Sequence, residues 1–65
     1  MNYVIRKKMD AVDFVSELDG VISEEQAKVI YRNIEHYSDM VKNVVIDLLR
    51  ANPRKYVPIL LGDDR

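Results

Sequence analysis

Residues 23–51 read SEEQAKVIYRNIEHYSDMVKNVVIDLLRA, and the spacing of apolar side chains within them decides the fold. Ala27, Ile34, Val41 and Leu48 recur every seven residues, and Ile30, Tyr37 and Val44 recur with the same period between them. Two interleaved rows of this kind lie on one face of an α-helix. The stretch opens on Ser23-Glu24-Glu25-Gln26, a capping box: the Ser23 side chain can accept from the Gln26 amide, and Gln26 can reach back to the Ser23 amide. Ile22 and Ala27 stand on either side, where a hydrophobic staple would be. Asn52-Pro53 supplies the stop. The apolar phase does not slip across Ser38-Asp39, the one place where a break is in view. The pattern therefore predicts a single helix over residues 23–51, on the order of 40 Å long.

The opposite face carries Glu25, Lys28, Arg32, Glu35 and Asp39. Glu24 with Lys28 is a favourable i,i+4 pair, and Asp39 with Lys42 and Asp47 with Arg50 are i,i+3 pairs, each worth tenths of a kcal/mol. Ile46 interrupts this polar stripe. With Val45, Leu48 and Leu49 it makes the last turns apolar nearly all round, so this end is expected to be covered on more than one side.

Working outward, Asp10 is placed to cap a first helix, and Asp13 sits near the positive end of its dipole. Ala11, Phe14, Val15 and Leu18 share one face, and Gly20 follows as a terminator, which predicts a helix over 10–19. On the C-terminal side Pro58 argues against a helix, so 53–65 is expected to be an extended apolar tail folding back over the long helix, with 62–65 frayed. Tyr3-Val4-Ile5 reads as a short strand or an extension of the first helix. The expected fold is all-α: one domain over residues 1–65, a short N-terminal helix packed on one long helix, with a possible short N-terminal strand.

At 65 residues the chain buries only about 60% of the surface its unfolded form exposes. Chains of this size usually need a disulfide, a metal or a partner. There is no cysteine, and His36 is the only histidine, so a structural zinc site lacks its ligands and association is the staple left open. Hydrophobic residues are 48% and charged residues 32%, which excludes the disordered class. Residues 1–8 lack the apolar core of a secretion signal, and no apolar run is long enough to span a bilayer. The expectation is a cytoplasmic protein with no membrane partner.

The net charge of −1 hides a pattern. Arg6, Lys7 and Lys8 make the start basic. Eight acids against Lys28 and Arg32 make residues 10–40 acidic, and Lys42, Arg50, Arg54 and Lys55 against Asp47 make 41–56 basic. An acidic middle between basic ends favours head-to-tail or antiparallel association. It disfavours nucleic acid, whose binders show one basic face.

No catalytic set is present. His36 has no orienting carboxylate facing it, since Glu35 is its chain neighbour and neighbours diverge on a helix. Asp10, Asp13, Glu17 and Asp19 lack the alternating spacing of a calcium loop and read as a solvated face. Gly20 and Gly62 are the only glycines, and neither builds a phosphate-binding loop. The chain is expected to be no enzyme, with no cofactor and no metal.

What remains is surface. A helix of 23–51 is longer than helix one, at about 15 Å, can cover. Ile30, Ile34, Tyr37, Val41, Val44 and Leu48 are therefore expected to form a homodimer interface, with Tyr37 making the packing irregular. Val45, Ile46, Leu49, Tyr56, Ile59 and Leu60 are the candidate surface for another protein. The function this implies is a small homodimeric interaction module: a regulator, inhibitor or adaptor. The alternative is a DNA-binding regulator in the manner of ribbon-helix-helix dimers, with Asn2, Val4, Arg6 and Lys8 on the reading face of a strand. Val4 in that face, and Glu24 and Glu25 where phosphate would approach, oppose it. The clusters Arg6-Lys7-Lys8 and Arg54-Lys55, each near a tyrosine (Tyr3, Tyr56), are otherwise solvated charge.

Overall fold

The computed structural model describes residues 9–62, which form four helices: α1 (Ala11–Glu17), α2 (Glu24–Ile34), α3 (Asp39–Ala51) and α4 (Pro53–Leu61). The fold is all-α. The N-terminal strand proposed for Tyr3–Ile5 and the end of the tail lie outside the described residues.

α1 starts as its sequence dictates: the Asp10 carboxylate accepts from the Asp13 amide at 3.0 Å. It is shorter than expected. The Leu18 and Asp19 amides turn back to Val15 and Ser16 three residues away rather than four, which tightens and ends the helix. Gly20 then adopts φ +86°, and the Val21 and Ile22 amides both bond the Leu18 carbonyl. The start of α2 has the capping box in full, with Gln26 N to Ser23 Oγ at 3.1 Å and Ser23 N to Gln26 Oε1 at 3.3 Å.

The single helix expected over 23–51 is two helices. α2 stops at Ile34, the Tyr37 amide bonds the Ile34 carbonyl, and the chain re-enters a helix at Ser38. Ser38 is extended (φ −69°, ψ 163°), and its Oγ accepts from the Val41 amide at 3.3 Å. The physical reason is local. A serine side chain bonds its own backbone more readily at a cap than inside a helix, and Asp39 in the first turn of α3 suits the dipole there. Seven-residue periodicity survives because the break changes direction and not the apolar order.

The tail is also helical where an extended chain was expected. The Asn52 side chain accepts from the Lys55 amide at 3.3 Å, and Pro53 occupies the first turn, where its missing N–H costs nothing. Pro58 lies inside α4 nonetheless. It deprives the carbonyl of Arg54, an exposed residue, of its intrahelical donor. Gly62 closes the helix at φ +80°, its amide bonding the Ile59 carbonyl at 3.2 Å.

The core is Phe14 and Leu18 from the α1 segment, Ala27, Ile30 and Ile34 from α2, and Val45, Ile46 and Leu49 from α3. Phe14, Leu18, Ile30 and Leu49 are its largest fully buried side chains. α4 packs on α2 and α3 and closes one side with the half-buried Tyr56, Val57, Leu60 and Leu61, fixed by Asn33 Nδ2 donating to the Leu60 carbonyl at 3.0 Å. At the opposite edge Tyr31 lies with its ring 5.5 Å from Phe14 and the Lys42 ammonium 5.1 Å from its own centroid. Lys42 is buried along its stem. Met9 is held there too: its amide donates to Asp39 Oδ1 at 3.1 Å, and its carbonyl accepts from the Tyr31 hydroxyl at 3.3 Å.

Candidate protein interaction surface

α3 decides what surface the protein offers, because it is apolar on two sides. One side carries Lys42, Val45, Ile46 and Leu49, at i, i+3, i+4 and i+7, and all four are buried. The other carries Met40, Val41, Val44 and Leu48, again at helical spacing. Met40 is 71% exposed, Val44 49% and Val41 38%, and Leu48 is half-buried. Tyr37, 51% exposed, lies in the turn before the Ser38 cap, with the His36 ring 4.3 Å from its own.

With about 100° of rotation per residue, Asp39, Asn43, Asp47 and Arg50 fall between the two sides along one border. Along the other border Val41 stands beside Val45, so apolar surface runs from the core out to solvent without a polar residue between. The remaining large exposed apolar residues, Val12, Val29 and Ile59, are scattered singly on α1, α2 and α4. Single exposed apolar residues are ordinary, and a stripe of four along one helix is not.

The structure divides both expected surfaces. Of the proposed seam, Ile30 and Ile34 are in the core, Val41, Val44 and Leu48 stay together on the outer side of α3, and Tyr37 is exposed in the turn before it. Ile30 and Ile34 are lost to the surface because α1 and α4 pack on α2. Of the second set, Val45, Ile46 and Leu49 are core residues, so they offer nothing to a partner. Ile46 faces inward because the bend turns the far side of the expected rod toward α1. Tyr56 and Leu60 are half-buried under α4, and Ile59 is exposed.

Sequence reasoning missed Met40, the most exposed member of the stripe. Its signal was its place four residues before Val44 and eight before Leu48. The Met9 clip had no signal, since a backbone amide and carbonyl carry no sequence mark.

Among the described residues no three His, Cys, Asp or Glu side chains converge as metal ligands would. No helix among them is long and apolar enough to cross a membrane. Asn2, Val4, Arg6 and Lys8 of the alternative DNA-reading strand lie outside the described residues, while Glu24 and Glu25 are exposed at the start of α2. No known protein family, curated protein or solved structure matches the chain.

Proposed function

We propose that this chain is a small, non-enzymatic protein–protein interaction module, a homodimeric regulator, inhibitor or adaptor of the cytoplasm that docks through the outer side of α3. The observation that supports this reading is the stripe of Met40, Val41, Val44 and Leu48, which remains outside after the four helices have closed their core. Apolar area of this kind loses about 25 cal/mol per Å² when it is left in water, and association recovers it.

The test is absolute mass by light scattering across a dilution series, with Val44→Glu beside the unchanged chain. Val44 is half exposed, so the substitution leaves the core intact. The expected result is a dimer for the unchanged chain and a monomer of unaltered helix content for Val44→Glu. A monomer for both at all concentrations, with no partner bound, overturns the reading. Ile46→Glu, which the sequence alone would recommend, is unsuitable because Ile46 is 3% exposed and a charge there would unfold the chain.

A further inference from the structure

Beyond the interaction reading above, we infer that the joint at 35–38 is a latch: when Ser38 gives up its cap, α2 and α3 run on as one helix and two copies of the chain exchange their α3–α4 halves. Three observations carry it.

The first is how little holds the joint out of a helix. Glu35 keeps helical angles (φ −63°, ψ −24°), while Ser38 is extended at ψ 163°. The change needed is centred on that one angle, which a helix sets at about −42°. Residues 21–52 contain neither glycine nor proline, so no residue forbids a continuous helix. Glu35, His36, Tyr37 and Ser38 are all exposed, and straightening the joint uncovers no buried side chain of its own.

The second is register. On a continuous helix Ala27 and Val45, 18 residues apart, are separated by about five whole turns, and Ile34 and Val45 by about three. All three are buried. The core residues of α2 and of α3 would then share one side, ready to be covered together.

The third is how the halves meet. α1 packs on α2, and α4 on α3. The two halves are joined where α4 packs on α2 and α1 on α3. Met9 with Asp39 and Glu17 with Arg50 bond across the same boundary. A straight chain cannot close that boundary on itself. A second copy presents the same two halves, so every one of these contacts re-forms between copies, which is the low-cost route to a dimer. A lone chain bends, and the Ser38 Oγ bond to the Val41 amide holds the bend.

The test uses Val44→Glu protein, in which the outer side of α3 is blocked. Losing the cap weakens the bent form about fivefold per chain, and alanine favours the straight helix about twofold over serine, so Ser38→Ala should tighten an exchanged dimer about 100-fold. Light scattering across a dilution series reads this. The chain has no cysteine, so spin labels at Glu24→Cys and Ala51→Cys, with labelled chain diluted into unlabelled chain, read the shape. One helix puts these positions about 40 Å apart. The bent chain keeps them closer, since Arg50 bonds Glu17 at the end of α1 and α2 starts one short turn later. Asp39→Pro is the counter-variant: proline suits the first position of α3 and the extended Ser38 before it, at the loss of the Met9 contact, and it breaks a continuous helix.

The expected result is a dimer with the long distance for Ser38→Ala, returned to a monomer by adding Asp39→Pro. Three outcomes overturn the inference: no gain in dimer with Ser38→Ala, a dimer with the short distance, or a dimer that survives Asp39→Pro. If Val44→Glu is already dimeric with Ser38 in place, the outer-side reading falls instead, and the distance in the Ser38→Ala variant still decides this one.

Discussion

The Arg50 guanidinium, projecting from α3, donates to the Glu17 carboxylate at 2.7 Å and to the Glu17 backbone carbonyl at 3.0 Å. One side chain thus makes an ion pair and also satisfies a carbonyl at the end of α1 that has no intrahelical donor. Both partners are about half exposed, so the ion pair alone is worth well under about 1 kcal/mol. Arg50→Ala is expected to lower stability by about 1 kcal/mol, and Glu17→Gln by less than half as much, because the carbonyl contact survives in the second variant. Urea unfolding of the two variants checks the order. Equal losses would show that the carbonyl contact contributes nothing.

Ser38 discriminates between a bent and a straight chain. In a continuous helix Ser38→Ala would stabilise, since alanine is the better helix former. As the cap of α3, its Oγ accepting from the Val41 amide, Ser38 should cost about 1 kcal/mol on replacement by alanine. The sign of the shift in urea midpoint reads the result.

Leu49 and Val44 sit on opposite sides of α3, fully buried and half exposed respectively. Leu49→Ala should cost about 2–5 kcal/mol through lost burial and the cavity left behind, enough to unfold most of a chain this small. Val44→Ala should change intrinsic stability by less than about 0.5 kcal/mol and weaken association instead. Thermal unfolding at several protein concentrations separates the two effects, since only association makes the midpoint depend on concentration.

Gly20 has open space where a Cβ would go, yet its φ is +86°. Gly20→Ala should therefore lose about 1–2 kcal/mol from backbone strain alone, with no clash to relieve. A loss that disappears on Gly20→Asn, a residue more tolerant of this conformation, would identify the backbone as its source.

Pro58 works against α4 from inside. Pro58→Ala restores a donor for the Arg54 carbonyl and should stabilise by about 1–2 kcal/mol, after allowing for the greater freedom of the unfolded chain. Amide exchange should slow in residues 54–61.

The parts of this fold that were legible in the sequence are those set by neighbouring residues. The Asp10 cap, the Ser23–Gln26 box and the stop at Asn52-Pro53 are local chemistry, and each is where its residues place it. The bend at Ser38 was marked just as locally, by a serine followed by an aspartate, but an unbroken apolar period outweighed it. Periodicity tells which side chains share a face. It does not tell whether two segments that share a face are collinear or broken by a joint, and here Ile34 and Val45 belong to one core that α1 and α4 complete. The same gap divided the candidate surface: Val41, Val44 and Leu48 kept the outward placement their row implied, while Ile30 and Ile34 went inside under α1 and α4. α4 was hidden by Pro58, whose cost is real and is outweighed by the Asn52 cap, Pro53 and the burial of Val57 and Leu61.

Asn52 is the only residue between α3 and α4, its amide bonded to the Leu48 carbonyl at 3.0 Å while its side chain caps the next helix. A joint of one residue leaves no slack. A codon gained or lost there would turn α4 by about 100° about its axis. Tyr56 and Leu60 would swing off the core, and the exposed Lys55 and Ile59 would approach it. Drift in chain length among descendants of this gene is therefore expected to collect in the turns at 19–22 and 35–37, and to leave the α3–α4 corner at a fixed length.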